Sequence, residues 1–190
     1  MTDPRLQAFL DRNERTLASY QAPPLIADIL KKKEPNSGSV YIISCSDFRV
    51  DPTRFFGLEL GEAHVIRNAG GRAAEAQRSL EVMGSIAPID LVVVVHHTDC
   101  GGLFTTDEEV RSKLSNRAPD YASSIKDKWF GTFKTIGLDE SIRQDVEEIK
   151  KWPFLGTRVQ VIGYALDIDT GAVRQRNWCG RLDLARSRQI

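Results

Sequence analysis

The chain has 190 residues, with 26 basic side chains balancing 26 acidic ones, for a formal net charge of zero. That length suits one well-cored domain, and hydrophobic and charged contents of 41% and 27% are those of a soluble globular chain. The charge balance excludes the footprint of a nucleic-acid or anionic-membrane binder, and the longest apolar run, IDLVVVV, is far too short to span a bilayer. The partner expected from composition is therefore a small-molecule substrate, with no nucleic acid and no membrane. The opening MTDPRLQAFLDRNERTL has no apolar signal-peptide core, and its acidic residues argue against a transit peptide. A cytoplasmic location is expected on that basis.

In chain order, the first predicted element is a helix in TDPRLQAFLDRNERTLASY, where Thr2 or Asp3 can cap and Pro4 suits the first helical position. Leu6, Phe9, Leu10 and Leu17 share one face of it. QAPP at 21–24 breaks the pattern and KKKEPNSGS follows as a polar loop, in which Lys31 to Lys33 read as a solvated helix end. β-rich runs come at 40–44, 64–67 and 91–96, and a fourth, RVQVIGYAL, at 158–166. Between the second and third runs, Ala74, Leu80, Met83 and Ala87 indicate a helix. Ahead of the fourth, Ile142, Val146 and Ile149 mark an amphipathic one. DTGAV after the fourth run is a turn able to return the chain as a short added strand. Strands alternating with helices predict an α/β fold: a mostly parallel central sheet of four strands, a short antiparallel edge strand, and flanking helices. The organisation expected is a single domain over 1–190, with 1–24 as an N-terminal helical arm.

The chemistry concentrates at two strand ends. SCSDFRVDP at 44–52 follows the apolar VYII, and VVVVHHTDCGG ends the third run. The cysteines are Cys45, Cys100 and Cys179; an odd number does not suggest a disulfide framework, leaving buried thiols, a redox site or metal ligands. Ligands in open α/β sheets gather at the carboxyl ends of strands where the winding reverses. If the first and third strands are neighbours there, Cys45, His97 and Cys100 converge, and two thiolates with an imidazole form a zinc site whose fourth position is open. Taken singly, C-x-D-x-R and H-x-x-C are weak signals, explained as well by a core thiol and a surface ion pair. Cys179 has no partner nearby in the sequence. His96 points away from His97 by strand alternation and reads as a core histidine; His64 reads as structural.

CSDFR, HVIRNAGG, RSLEVMGS and HHTDCGG together resemble the β-class carbonic anhydrases, especially a compact branch carrying HHTDCG. The resemblance runs from about residue 40 to GYALDIDTGAV. It implies that Cys45, His97 and Cys100 bind one Zn²⁺ per chain and that Asp47 and Arg49 form a catalytic dyad beside it. Arg49 would hold Asp47 in a bidentate pair, while Asp47 orients the hydroxide; in some members the aspartate itself binds the metal in a resting state. A centre of two thiolates and a neutral imidazole is uncharged, and should acidify water less than a tris-histidine site, whose bound water titrates near ~7.

The implied reaction is attack of metal-bound hydroxide on a small linear carbon substrate. This is either reversible hydration of carbon dioxide to bicarbonate by a zinc lyase, or hydrolysis of carbonyl sulfide or carbon disulfide releasing hydrogen sulfide, both known in the branch. Gly101 and Gly102 would let backbone approach the metal and present an N–H to a substrate oxygen; as sequence they equally open a tight turn. A non-catalytic zinc-stabilised binding module is the remoter alternative, disfavoured because a structural zinc takes a fourth permanent ligand. Thiol redox and nucleotide chemistry lack a C-x-x-C, a G-x-G-x-x-G or a phosphate loop. Related enzymes embrace a partner with their N-terminal helices, so a homodimer or larger homo-oligomer is expected.

Overall fold

The computed structural model describes residues 3–32, 37–156 and 158–175, and the chain divides into two units, Met1–Ser37 and Gly38–Ile190. In the first unit, α1 (Pro4–Leu17) starts where the sequence places it: Asp3 accepts from Arg5 N at 2.8 Å and Pro4 takes the first helical position. α2 spans Ile26–Lys32, with Lys31 3.7 Å from Asp28 at its solvated end. Lys33 lies outside the described residues. Leu6, Phe9, Leu10 and Leu17 are exposed within their own unit, and no residue of α1 is buried.

The second unit is built on β1 (Ser39–Cys45), β2 (His64–Asn68), β3 (Ile89–His97), β4 (Gln160–Leu166) and β5 (Val173–Gln175), in the order β2-β1-β3-β4-β5. Every pairing is parallel except β4 with β5, as the run-and-helix alternation predicts. β3 sits at the centre, and its unbroken VVVV is explained by burial on both faces. Val92 and Val94 join Ile43, Leu80, Ile142, Val146 and Ile149 in one core cluster, while Val93 and Val95 join Ile42, Val50 and Leu166 in another.

α4 (Ala73–Ile86) and α6 (Gly137–Lys150) supply the first cluster, and the short α3 (Pro52–Phe55) lies in the chain after β1. The buried face of α4 is Ala73, Ala76 and Leu80, with Ala74 exposed. The helix is where the apolar spacing puts it, and Leu80 and Met83 face the core as expected; Ala74 does not, because neighbouring alanines cannot phase the first turn, and Ala87 is the C-cap just past the helix end. α5 (Asp107–Arg117) buries none of its residues and so has no apolar stripe to announce it. Its signature is the reciprocal capping box between Thr106 and Glu109. No described helix is long and apolar enough to cross a membrane.

The chain leaves β1 for β2 on one side and returns as β3 on the other. Between the carboxyl ends of β1 and β3 is therefore the reversal point where an open α/β sheet leaves a crevice.

Candidate metal centre

Cys45 closes β1 and His97 closes β3, and the two strands are paired neighbours up to Ser44 and Val95. The turn after β2 presses against that point. A Cβ on Gly71 would lie 3.0 Å from both Cys45 N and Ser44 C, and Gly71 also has φ of +70°, so only glycine fits. Beyond His97, Thr98 is tied to β4: its N–H donates to Leu166 O at 3.0 Å and its hydroxyl accepts from Ile168 N at 2.9 Å. Asp99 then takes φ 53°, the single positive value for a non-glycine among the described residues, and turns Cys100 back toward Cys45.

Cys45, His97 and Cys100 are all buried, and their ligand atoms lie within 4.8 Å of one another. The two sulfurs are 3.9 Å apart. His97 Nδ1 is 2.8 Å from Thr98 O, and a carbonyl only accepts, so Nδ1 carries the proton. Nε2 is left with a bare lone pair, buried and without a hydrogen-bond partner. Such an orphan is costly unless something occupies it. The hydrogen bond from Cys100 holds the Cys45 thiol down at about 4, against the burial that would raise it. The Cys100 thiol is correspondingly raised, by the same contact and by burial. Two adjacent sulfurs and an imidazole nitrogen with no hydrogen-bond partner form a donor set suited to a borderline-soft divalent cation such as zinc. Cys179 lies outside the described residues.

Beside the sulfurs, the Asp47 N–H donates to Cys45 Sγ at 3.4 Å. Its carboxylate accepts a guanidinium fork from Arg49, Nε to Oδ1 at 3.1 Å and Nη2 to Oδ2 at 2.7 Å, and also takes Arg49 N at 2.9 Å. These bonds bring the Asp47 carboxyl down to about 2, so it is ionised at neutral pH. Two residues given no role from the sequence complete this corner. Asp99 accepts from Arg49 Nη1 at 2.7 Å, and Arg67 donates to Cys45 O at 3.0 Å and to Asp47 O at 2.6 Å. In the sequence Arg67 stands only as the last residue of the second β-rich run, and a basic side chain ending a half-buried strand was the available signal.

Behind the sulfurs lies a second network. Arg72 grips Asp145 of α6 through Nε to Oδ2 and Nη2 to Oδ1, each at 2.9 Å, and donates Nη1 to Gly131 O at 2.7 Å. His96 Nε2 faces Asp145 Oδ2 at 3.0 Å and Gly71 O at 3.2 Å, while Nδ1 meets Ser141 Oγ at 2.8 Å. His96 is thus the satisfied core histidine that strand alternation implies. Burial pushes the Asp145 carboxyl up, but the bonds from His96 and Arg72 outweigh it and leave the carboxyl below its ordinary value. Phe133 stacks on His96 at 5.4 Å and clusters with Cys45 and Cys100. His64, by contrast, stacks on Tyr41 at the far end of β2, with no part in the site.

In front of the sulfurs opens a cavity of about 710 Å³, lined by Asp47, Phe48, Arg49, Gly101, Gly102 and Phe130 among others. The two glycines serve different ends. Gly101 has open space where a Cβ would stand, whereas a Cβ on Gly102 would come 2.6 Å from the Phe133 ring. The facing wall is stapled by Asp107, which accepts from Phe130 N at 2.8 Å, Thr132 N at 3.0 Å and Thr132 Oγ1 at 2.6 Å.

Residues 40–173 match the family model described as carbonic anhydrase. Over 142 residues the chain is 32% identical to β-carbonic anhydrase 1 of Mycobacterium tuberculosis, covering 74% of this chain and 83% of that protein. It is 29% identical over 162 residues to a carbon disulfide hydrolase of an Acidianus species, covering 75% and 79% respectively. Among solved structures, a carbonic anhydrase from Streptococcus mutans superposes with TM-score 0.76 at 30% identity, covering 93% of this chain and all (100%) of that one.

Proposed function

The chain belongs to the carbonic anhydrase family, within its β class, and from that premise we propose that it is a zinc lyase catalysing the reversible hydration of carbon dioxide to bicarbonate. Cys45, His97 and Cys100 would hold one Zn²⁺ per chain. The observation that carries this reading is the buried, partnerless Nε2 of His97 beside two sulfurs 3.9 Å apart. Three donors with no fourth protein ligand among the described residues suit a reactive rather than a purely structural metal. Bound there, zinc supplies Lewis acidity that makes a water-derived nucleophile available near neutral pH.

The remaining work falls to the chain's own groups. Asp47, held ionised by Arg49, accepts a hydrogen bond from the attacking oxygen and turns its free lone pair toward the substrate carbon. The bidentate fork of Arg49 keeps that carboxylate oriented. Gly101, with nothing standing where its side chain would be, leaves room for a linear three-atom substrate on the cavity side.

Hydrolysis of carbonyl sulfide or carbon disulfide is the second reading. It is favoured by the carbon disulfide hydrolase relative and by a cavity walled largely by Phe48, Ala69, Val110, Phe130 and glycines, which offers few partners to a charged product. The whole site recruits the same residues in either case. We further infer a homo-oligomer, the apolar stripe of α1, exposed within its own unit, being the surface a second copy would cover; light scattering on a variant lacking residues 1–20 tests this, and an unchanged number of chains per particle overturns it.

The deciding experiment measures zinc by elemental analysis and turnover of carbon dioxide, carbonyl sulfide and carbon disulfide in parallel. About one zinc per chain is expected in wild type, and its loss in Cys45→Ser, His97→Ala and Cys100→Ser. Full zinc in those variants, or none in fresh wild-type protein, sinks the assignment.

A further inference from the structure

The Asp47–Arg49 pair does not stand alone. Arg49 spends one edge of its guanidinium on Asp47 and the other on Asp99: Nη1 donates to Asp99 Oδ2 at 2.7 Å and Nη2 to Asp99 O at 3.0 Å. Four of the five N–H bonds of the group are thereby engaged, and they join two loops that are 50 residues apart in sequence. One loop follows Cys45 and the other runs from His97 to Cys100. A guanidinium held along a single edge can swing away together with its carboxylate. Held along both, it cannot leave either acid without breaking charged bonds to the other.

Asp99 is shaped for this task. Its left-handed backbone turns its own carbonyl, as well as its carboxylate, toward Arg49. Its neighbour Thr98 is anchored to the end of β4 from the other side, so the anchor point is itself fixed. The Arg49 and Asp99 side chains remain 38% and 53% exposed. Ion pairs that open contribute little to folding, so thermodynamic stability is not what this contact is placed to supply.

We propose that Asp99 is a positioning residue for the reaction. It clamps Arg49 between two loops, so that the Asp47 carboxylate is held toward the cavity and kept from turning onto the sulfur and imidazole donors. The inference rests on the catalytic reading above but names a residue outside the metal donors and the dyad.

Asp99→Gly removes the carboxylate while relieving the left-handed backbone, so it should fold at least as well as wild type. Asp99→Asn keeps an acceptor oxygen and suits the same backbone, so it should restore part of the function. With zinc content unchanged, Asp99→Gly is expected to lower kcat about tenfold with KM nearly constant, the mark of a misplaced group rather than lost binding. Asp99→Asn should fall between it and wild type. In an Asp47→Asn background, Asp99→Gly should have no further effect. Independently of turnover, solvent exchange of the Arg49 Nε–H, followed by ¹⁵N NMR, should quicken in Asp99→Gly. Unaltered kcat, an equal loss in the Asp47→Asn background, or unaltered exchange overturns the clamp. Wild-type protein that turns over none of the three substrates overturns the catalytic reading instead, and the exchange measurement then still decides whether Asp99 holds Arg49.

Discussion

Arg72 and Arg49 both grip a carboxylate with a two-point guanidinium fork, and they flank the same pair of sulfurs, yet their surroundings assign them opposite work. The Arg72 and Asp145 side chains are 4% and 0% exposed, and each nitrogen of the guanidinium donates to a carboxylate or a carbonyl. Arg49 sits at the cavity mouth, open to water on one side. A buried pair that is fully hydrogen-bonded gains little over apolar packing, but its members cannot be removed singly without stranding a charge. An exposed pair can be cut at small cost. The rear network therefore sets the shape of the site, through Gly131 O, Gly71 O and the Phe133 ring, while the front network is free to serve chemistry.

The largest expected effect is on the rear. Asp145→Ala should destabilise the protein by about 3–5 kcal/mol, because it leaves the Arg72 guanidinium buried and unpaired; equilibrium denaturant unfolding measures it. The Arg72→Met, Asp145→Leu double variant sharpens the contrast, since losing both charges together should cost less than losing one. A single-variant cost below about 1 kcal/mol would erase the distinction between the two networks.

Next in size is Gly71→Ala, at the junction of the rear network with the Cys45 loop. It forces a side chain into a left-handed conformation and to 3.0 Å from backbone atoms of Ser44 and Cys45, for a cost of about 1–3 kcal/mol. Zinc retention should fall with it, since Cys45 must shift to make room.

At the front, Arg49→Ala should change unfolding free energy by no more than about 1 kcal/mol and yet lower kcat by roughly 10²-fold through misplacement of Asp47. Asp47→Asn should match that kinetic loss with its zinc intact. Equal losses of stability at front and rear would refute the division of labour.

The smallest effect is a pH dependence. The Asp47 carboxyl lies at about 2 in the folded chain against 3.8 for the free group. A lowered folded pKa contributes stability that is fully present above 3.8 and is lost as pH falls toward 2. The stability difference between wild type and Asp47→Asn should therefore be flat above pH 4 and should shrink below it. Asp145 is lowered in the same direction, so acid should also weaken the rear network below the ordinary carboxylate range.

Much of this site is legible from local pattern. The apolar runs around residues 42, 93 and 162 announce strands, since each buries a side chain at every or every second position, whereas the run around 66 is only half-buried and shows itself by its β-branched residues. The thiols and imidazole then appear where those runs stop, and the family's motifs supply the dyad. The first turn of α4 was not legible, because Ala73, Ala74 and Ala76 are the same side chain and cannot show which of them faces the core, although Leu80 and Met83 mark that face further along. α5 was hidden for the opposite reason, having no buried side to show.

The amino-acid sequence by itself determined which segments could be strands or helices, and which residues had metal-binding chemistry. Periodicity and side-chain type are properties of neighbours along the chain, so no fold is needed to see them. Only the tertiary structure decided that Arg72 would meet Asp145, 73 residues away, that Arg67 would brace the Cys45 loop, and that Asp99 would share Arg49 with Asp47. An arginine's long, flexible side chain can satisfy its charge with any acceptor the topology brings within reach. Its partner is selected by the order of strands in the sheet and the turns between them, and that selection leaves no local trace in the residues on either side.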